Sequence, residues 1–441
     1  MKMIRTSQTG AAMMLFVIFF ALATSAMMLA LNQSIVTDLS DFNSLSRAKV
    51  AYLAAESGLE DVTYRMVFGT FSVDNTESLS LYGVPVTTTV SYDTVLDEYS
   101  IFSEADFDSV IRRAEIILAI SAGSAFSYGL QSGNGGVLLS NNSDIYGNVY
   151  SNGTVQGAGS AQINGDIISA GASGLVIDIT ATGSVYANSI DNVDVGVDAH
   201  YNNDLGGNNI TGTPYSPVTV EPTIPLPIST TTIQEWKDVI TTYGTTITAA
   251  DPLCSSGTLT IDSDTTMGYV KIECNVDINK TGPSAVVTLT GPIWVEGNLS
   301  FTQGPTIQVD PSLGRRSVQM IADNESDRLT SSKIEIRNST DFIGSGDDRS
   351  YIMLLSQNES ASSSGSEIAI DIGQSATGDV IVYTNSGLVD IGNNIDLRSV
   401  TAYQINVANG SSITYETGLA NMVFTSGPGG EYVIYDWQQV E

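Results

Sequence analysis

The first 68 residues leave this chain few choices of fold. Ala11 to Leu31 is a run of 21 residues without a charge. A bilayer-spanning helix needs roughly 20 apolar residues at about 1.5 Å rise each, so the run is long enough to cross a membrane. The pattern then continues at Ile35, Leu39, Phe42, Leu45, Ala48, Tyr52, Ala55, Leu59, Val62 and Met66, in steps of three and four that keep one helical face apolar. The first proline is Pro85. The spacing predicts one helix over residues 11–68, about 58 residues and on the order of 85 Å long, half of it in the membrane and half outside.

Lys2 and Arg5 precede the apolar run, and Asp38 and Asp41 follow it. That asymmetry predicts a leader (1–10) inside and a body outside the cytoplasm, as a single-pass envelope protein. The body is strongly acidic, with 17 Lys and Arg against 48 Asp and Glu and a net charge of −31. Such a surface repels nucleic acid, which is therefore not an expected partner.

Beyond the helix the periodicity falls to two. Val84, Val86, Thr88, Val90 and Tyr92 alternate with polar neighbours, as do Tyr99, Ile101 and Ser103, then Ile116, Leu118 and Ile120. Residues 69–126 thus read as three or four antiparallel strands packed on the helix stripe. From 127 to 212 a repeat appears. Gly129, Gly147, Gly165 and Gly183 are 18 apart, each of the last three inside a short strand motif such as Ile163-Asn164-Gly165-Asp166-Ile167. This describes a β-solenoid with 18-residue rungs. An Asp- and Asn-rich loop (191–212) interrupts it in this reading.

Residues 213–250 hold a strap with Pro214, Pro217, Pro222, Pro225 and Pro227, then a short helix. Thr232 and Glu235 have capping-box spacing, and Ile233, Trp236, Ile240 and Tyr243 share a face. From 251 to 441 strand motifs resume in a second β-helical block, with Tyr432 to Trp437 as a terminal strand closing its open edge. The fold class is mainly β: a long amino-terminal helix with a small antiparallel sheet, then a solenoid.

Cys254 and Cys274, the two cysteines, lie 20 apart. Outside the cytoplasm they form one disulfide or remain two buried thiols. With one histidine, His200, they make no zinc signature. Asp191, Asp194, Asp198 and Asp204 could ligate calcium, but no ligand spacing is defined and a solvated polar loop fits them better. Asp323, Glu325 and Asp327 copy the start of a calcium loop without its glycine. His200 has no partner motif for general-base work, and Arg315-Arg316 reads as a surface turn. No catalytic residue, metal or cofactor is expected. A polysaccharide lyase or hydrolase on a solenoid would need a groove lined by carboxylates on successive rungs.

Gly10 followed by the apolar run, and then Ala51-Tyr52-Leu53-Ala54-Ala55-Glu56-Ser57-Gly58-Leu59-Glu60, resembles the amino-terminal region of PilX-like minor pilins of type IV pilus systems. The resemblance implies cleavage by a prepilin peptidase between Gly10 and Ala11 and packing of the helix among other pilin-like subunits. Major pilins carry glutamate at the fifth mature position; here it is Leu15, which points to a minor or tip subunit, or else to no cleavage at all. Gly291 to Leu299 and Thr414 to Leu419 resemble β-helical passengers of bacterial envelope proteins, and the rungs are similar to those of bactofilin-like polymer-forming proteins. Together these imply a structural, non-enzymatic pilus-associated protein, displaying an acidic solenoid for adhesion or spacing toward a surface polysaccharide or host ligand. The alternatives are an envelope protein that never assembles, a secreted one cut after Ala21-Leu22-Ala23, or a polysaccharide-active enzyme.

Overall fold

The computed structural model describes residues 9–67, 76–81, 83–93, 98–120, 126–254, 256–282, 285–374, 376–416, 419, 423–424 and 432–440. The chain divides into two units, one of Met1–Met66, Thr70–Ala119 and Ile434–Glu441, the other of Val67–Gly69 and Ile120–Val433. It is mainly β, with one long helix, one small antiparallel sheet and extensive parallel sheets.

In the first unit, α1 (Thr9–Val67) runs 59 residues without a break. Its carboxy-terminal half buries Ala48, Ala51, Ala54, Ala55, Leu59, Val62 and Met66. Four alanines in that stripe keep the helix surface low, so that the sheet can approach its backbone. The sheet is β1 (Thr76–Leu81), β2 (Val84–Asp93), β3 (Glu98–Phe107) and β4 (Val110–Ile120), each antiparallel to the next. Alternation puts Val84, Val86, Val90, Ile101, Ala105, Ala114, Ile116 and Leu118 on its buried face. Two buried polar groups on that face satisfy each other, Thr88 Oγ1 donating to Ser103 Oγ at 3.1 Å.

Helix and sheet approach each other closely at Gly58. A Cβ there would lie 2.7 Å from Val86 Cγ1 and 2.8 Å from Ser103 Oγ and Thr88 Oγ1. Gly58→Leu should therefore destabilise the unit by about 1–3 kcal/mol through overpacking. The check is hydrogen exchange: amides of β2 and β3 should lose protection in the variant, and unchanged protection would refute the tight fit.

The terminal strand differs from its expected place. Tyr432–Val440 does not close the solenoid; it pairs beside β4 as the fifth strand of the small sheet. Gln438 Nε2 donates to Glu115 Oε2 at 3.2 Å across that pairing. The solenoid unit is thus an insertion between β4 and its neighbour. A nine-residue amphipathic strand fits either sheet edge, and nothing local in its sequence chooses between them.

In the second unit, parallel strands stack in register as a solenoid. The order is not that of the chain. β5 (Leu130–Leu139) lies in the middle, pairing with Val149–Ser151 on one side and with Ser399–Val407 on the other. From β5 the first arm climbs through Ile167–Ser169, Val185–Ala187 and Ala199–His200 to Pro214–Tyr215. The second arm starts at the opposite end, Thr245–Ile247, and returns rung by rung until Ser399–Val407 reaches β5. What reads as two blocks in the sequence is one continuous stack. Entry and exit meet at the centre, where Tyr415 Oη donates to the Phe126 carbonyl at 2.8 Å.

This path requires a long connection. Twelve strand-to-strand steps of about 4.8 Å separate the two ends, roughly 58 Å. The strap from Ser216 to Ser229, extended at about 3.1 Å per residue, and α2 (Thr230–Tyr243), at about 1.5 Å per residue, together reach roughly 65 Å. Prolines suit the strap because it joins no sheet. It is held by isolated hydrogen bonds instead, two from side chains and one from the backbone: Asn152 Nδ2 donates to Ile224 O (2.6 Å), Tyr383 Oη to Ile228 O (2.6 Å), and Gly171 N to Glu221 O (2.8 Å). The helix cap is Ser229, whose Oγ accepts from Thr232 N at 3.0 Å. The Thr232–Glu235 box is accordingly displaced by one turn, and Tyr243 of the expected apolar face is exposed while Ile233, Trp236 and Ile240 are buried.

The 18-residue spacing is the step between rungs, Val149 to Ile167 to Val185. Its corner glycines stack so closely that a Cβ on Gly165 would sit 2.5 Å from the Gly147 carbonyl oxygen. Residues 191–212 are not an interrupting loop. They form further rungs with a shorter step, Val185 to Ala199 to Pro214. Asn and Asp supply a corner ladder along both kinds of rung: Asn148 Oδ1 accepts from Asp166 N (2.9 Å) and Asp166 Oδ1 from Ser184 N (2.7 Å) on the 18-residue rungs, and Asp198 Oδ1 from Thr213 N (2.8 Å) on the shorter ones.

Candidate functional site

Three places carry features beyond fold maintenance. The first is α1 itself. From Met13 to Ala30 it has a mean hydropathy of 2.3 and no buried residue, so it is long and apolar enough to cross a membrane. The apolar stripe outlasts that span: Leu39, Phe42 and Leu45 are exposed, Phe42 by 68% and Leu45 by 70%, before Ala48 begins the buried stripe. Gly10 and Ala11 lie in the first turns of α1. Lys2 and Arg5 lie outside the described residues.

The second is a buried charge cluster on α2. Lys237 Nζ is 2.7 Å from Asp323 Oδ2, with both side chains within 1% of complete burial, and it also donates to Glu325. Arg328 grips the same carboxylate with Nε to Oδ1 (2.7 Å) and Nη2 to Oδ2 (2.9 Å). This bond to Asp323 raises the Arg328 pKa further. The Trp294 ring lies 4.5 Å from Lys237 Nζ, and its indole N–H donates to the Asp323 carbonyl at 2.9 Å. Asp323 and Glu325 are therefore partners of cations and not a calcium loop. Sequence reasoning missed Lys237, which sits among polar residues; its one signal was its place beside Trp236 at the edge of the apolar face.

The third is a groove of about 490 Å³ on the second arm of the solenoid. Its floor is built from outward-facing positions of neighbouring rungs: Asn275 (Asn275–Asn279), Ser300 (Leu299–Thr302), Glu335 (Ile334–Ile336) and Asp371 (Ile370–Gln374). Glu367 and Ser366 form one wall. Lys333 Nζ meets Glu367 Oε2 at 2.7 Å, and Arg337 bridges Glu335 and Asp371, at 3.3 Å from the latter. Asn298 N donates to Asn275 Oδ1 (2.8 Å) and Lys333 N to Asn298 Oδ1 (3.0 Å), and neither side-chain amide donates a hydrogen bond among the described residues.

The acidic column continues past the groove. Asp371 stands in register with Asp390, whose pKa is raised, first by burial and then by repulsion from Asp371, against a hydrogen bond from Asn406. A carboxyl whose folded pKa exceeds its unfolded value contributes stability below the ordinary aspartate pKa and loses it as pH rises through the folded value. Asp390→Asn should thus raise the melting midpoint at neutral pH and leave it unchanged near pH 3. Equal effects at both pH values would contradict this.

The other sequence-predicted residues have structural places. Cys254 and Cys274 are joined, with S–S 2.06 Å. His200 is stacked between Tyr186 and Tyr215, ring centroids 4.5 and 4.6 Å away, on three successive rungs. Asp191, Asp194, Asp198 and Asp204 belong to rungs and corners, and no group able to hold a metal occurs among the described residues. Arg316 begins the strand Arg316–Ala322.

No family model and no curated protein matches this chain. Among solved structures it is similar to the crystal structure of the competence-associated pilin ComZ from Thermus thermophilus, at 12% identity and a TM-score of 0.37, over 89% of this chain and 97% of that one. At that level the likeness carries no argument about function.

Proposed function

We propose that this chain is a structural, pilin-like envelope protein whose helix enters a filament and whose inserted solenoid is displayed outside the cell. One observation carries the reading: α1 has an apolar half sized for a membrane, a sheet-covered half, and between them an exposed apolar segment at Leu39, Phe42 and Leu45. Apolar residues at helical spacing without a partner among the described residues call for other helices, and the partners envisaged are pilin-like subunits. In this reading a prepilin peptidase cuts between Gly10 and Ala11, and Leu15 in place of a carboxylate suits a minor or terminal subunit. The acidic solenoid then serves adhesion or spacing, toward a surface polysaccharide or a host ligand.

Phe42→Asp/Leu45→Asp tests the assembly step. The variant should remain membrane-bound, since Met13 to Ala30 is untouched, yet drop at least tenfold in the fraction sheared from the cell surface. Undiminished recovery in that fraction would exclude the helix as the assembly surface.

A further inference from the structure

We infer that the groove over Asn275, Ser300, Glu335 and Asp371 binds an uncharged, hydroxyl-rich glycan, lying across successive rungs. The inference rests on the reading that the solenoid faces the exterior.

The argument begins with what the groove offers. Glu335 and Asp371 are hydrogen-bond acceptors, the Asn275 and Asn298 amides and the Lys333 ammonium are donors, and Thr258 and Ser300 are both. They recur at rung spacing, about 4.8 Å. Leu299 and Ile334, apolar members of the lining, are buried in the solenoid core, and Ile368 is half-buried. Ile368 is the one apolar side chain of the lining that is not buried, so recognition runs mainly through the polar groups.

Other ligand classes fit less well. A peptide strand binds by adding to a sheet edge, whereas this is a sheet face whose backbone groups are already paired between rungs. Three carboxylates against Lys333 and Arg337, on a chain of net charge −31, disfavour anionic polymers. No group able to hold a metal occurs here. What remains is a ligand whose surface is hydroxyl groups, each able to donate to a carboxylate and accept from an amide.

The groove fulfils the condition for a polysaccharide-active solenoid, carboxylates on successive rungs, but its chemistry suits holding. A hydrolase needs one carboxyl that is protonated and free to donate. Here Glu367 is tied to Lys333, and Glu335 and Asp371 to Arg337.

The test uses the full chain in detergent and calorimetric titration with cellohexaose, xylohexaose and mannohexaose, with hexagalacturonate as the anionic comparison. At least one neutral hexasaccharide should bind, at least tenfold more weakly to Ser300→Trp, which fills the floor, and to Asp371→Ala. Both variants should keep the wild-type circular dichroism, and no hexasaccharide should be shortened on incubation. Absence of binding by all three neutral probes, binding unaffected by both variants, or preference for hexagalacturonate would overturn the inference. Because the titration is indifferent to filament assembly, it can fail while the assembly reading stands, and the reverse.

Discussion

Deleting residues 432–441 should unfold the small sheet while leaving the solenoid intact. The deleted segment holds the strand beside β4. Four or so ladder hydrogen bonds at about 1 kcal/mol each amount to about 4 kcal/mol, a large share of the 5–15 kcal/mol that stabilises a typical domain. The loss also bares the edge of β4, where Ile111 is already exposed, and an unpaired edge invites aggregation. The expected result is loss of slow hydrogen exchange across β2 to β4 with solenoid amides unaffected. The converse construction is equally informative. Replacing residues 126–424 by about 15 Gly and Ser residues, with a root-mean-square span of roughly 20 Å, should leave α1 and the five-stranded sheet folded. If truncation costs nothing, the terminal strand is ornamental and the insertion topology loses its meaning.

The second large effect is expected at Asp323. Asp323→Ala strands the Lys237 ammonium, which is 1% exposed and has no comparable partner besides Glu325. Removing one member of a buried ion pair costs about 3–5 kcal/mol. Arg328, partly exposed, can turn to Glu359, which it already meets at 3.4 Å. Lys237→Met with Asp323→Leu should recover most of the loss, since no charge is then left buried. Denaturant midpoints followed by tryptophan emission, with Trp294 against the cluster, report both variants. A single variant as stable as the wild type would mean that the cluster is solvated in practice.

Legibility in the sequence followed the range of the interactions. α1 was readable from its stripe, and the 18-residue step from Gly147, Gly165 and Gly183, because both patterns are local. The rungs at 191–212 were obscured because their step shortens and their corners are filled by Asn and Asp, residues equally at home in loops. The pairing of Leu130 with Val400 leaves no local trace, so one stack read as two blocks. The flank covered by the strap and α2 did leave a sign. Ile352–Ser356 and Val380–Thr384 are buried at every position, and such unbroken apolar runs mark strands covered on both faces. The groove was readable only as a condition, since Asn275, Ser300, Glu335 and Asp371 become neighbours through stacking alone.

The leader and the exposed helical segment bear most directly on what the protein is for. Amino-terminal sequencing of the chain recovered from filaments sheared off the cell surface tests both at once. The account predicts recovery in that fraction with Ala11 as the first residue. A chain starting at Met1 or at Thr24, or one absent from the sheared filaments, would contradict it.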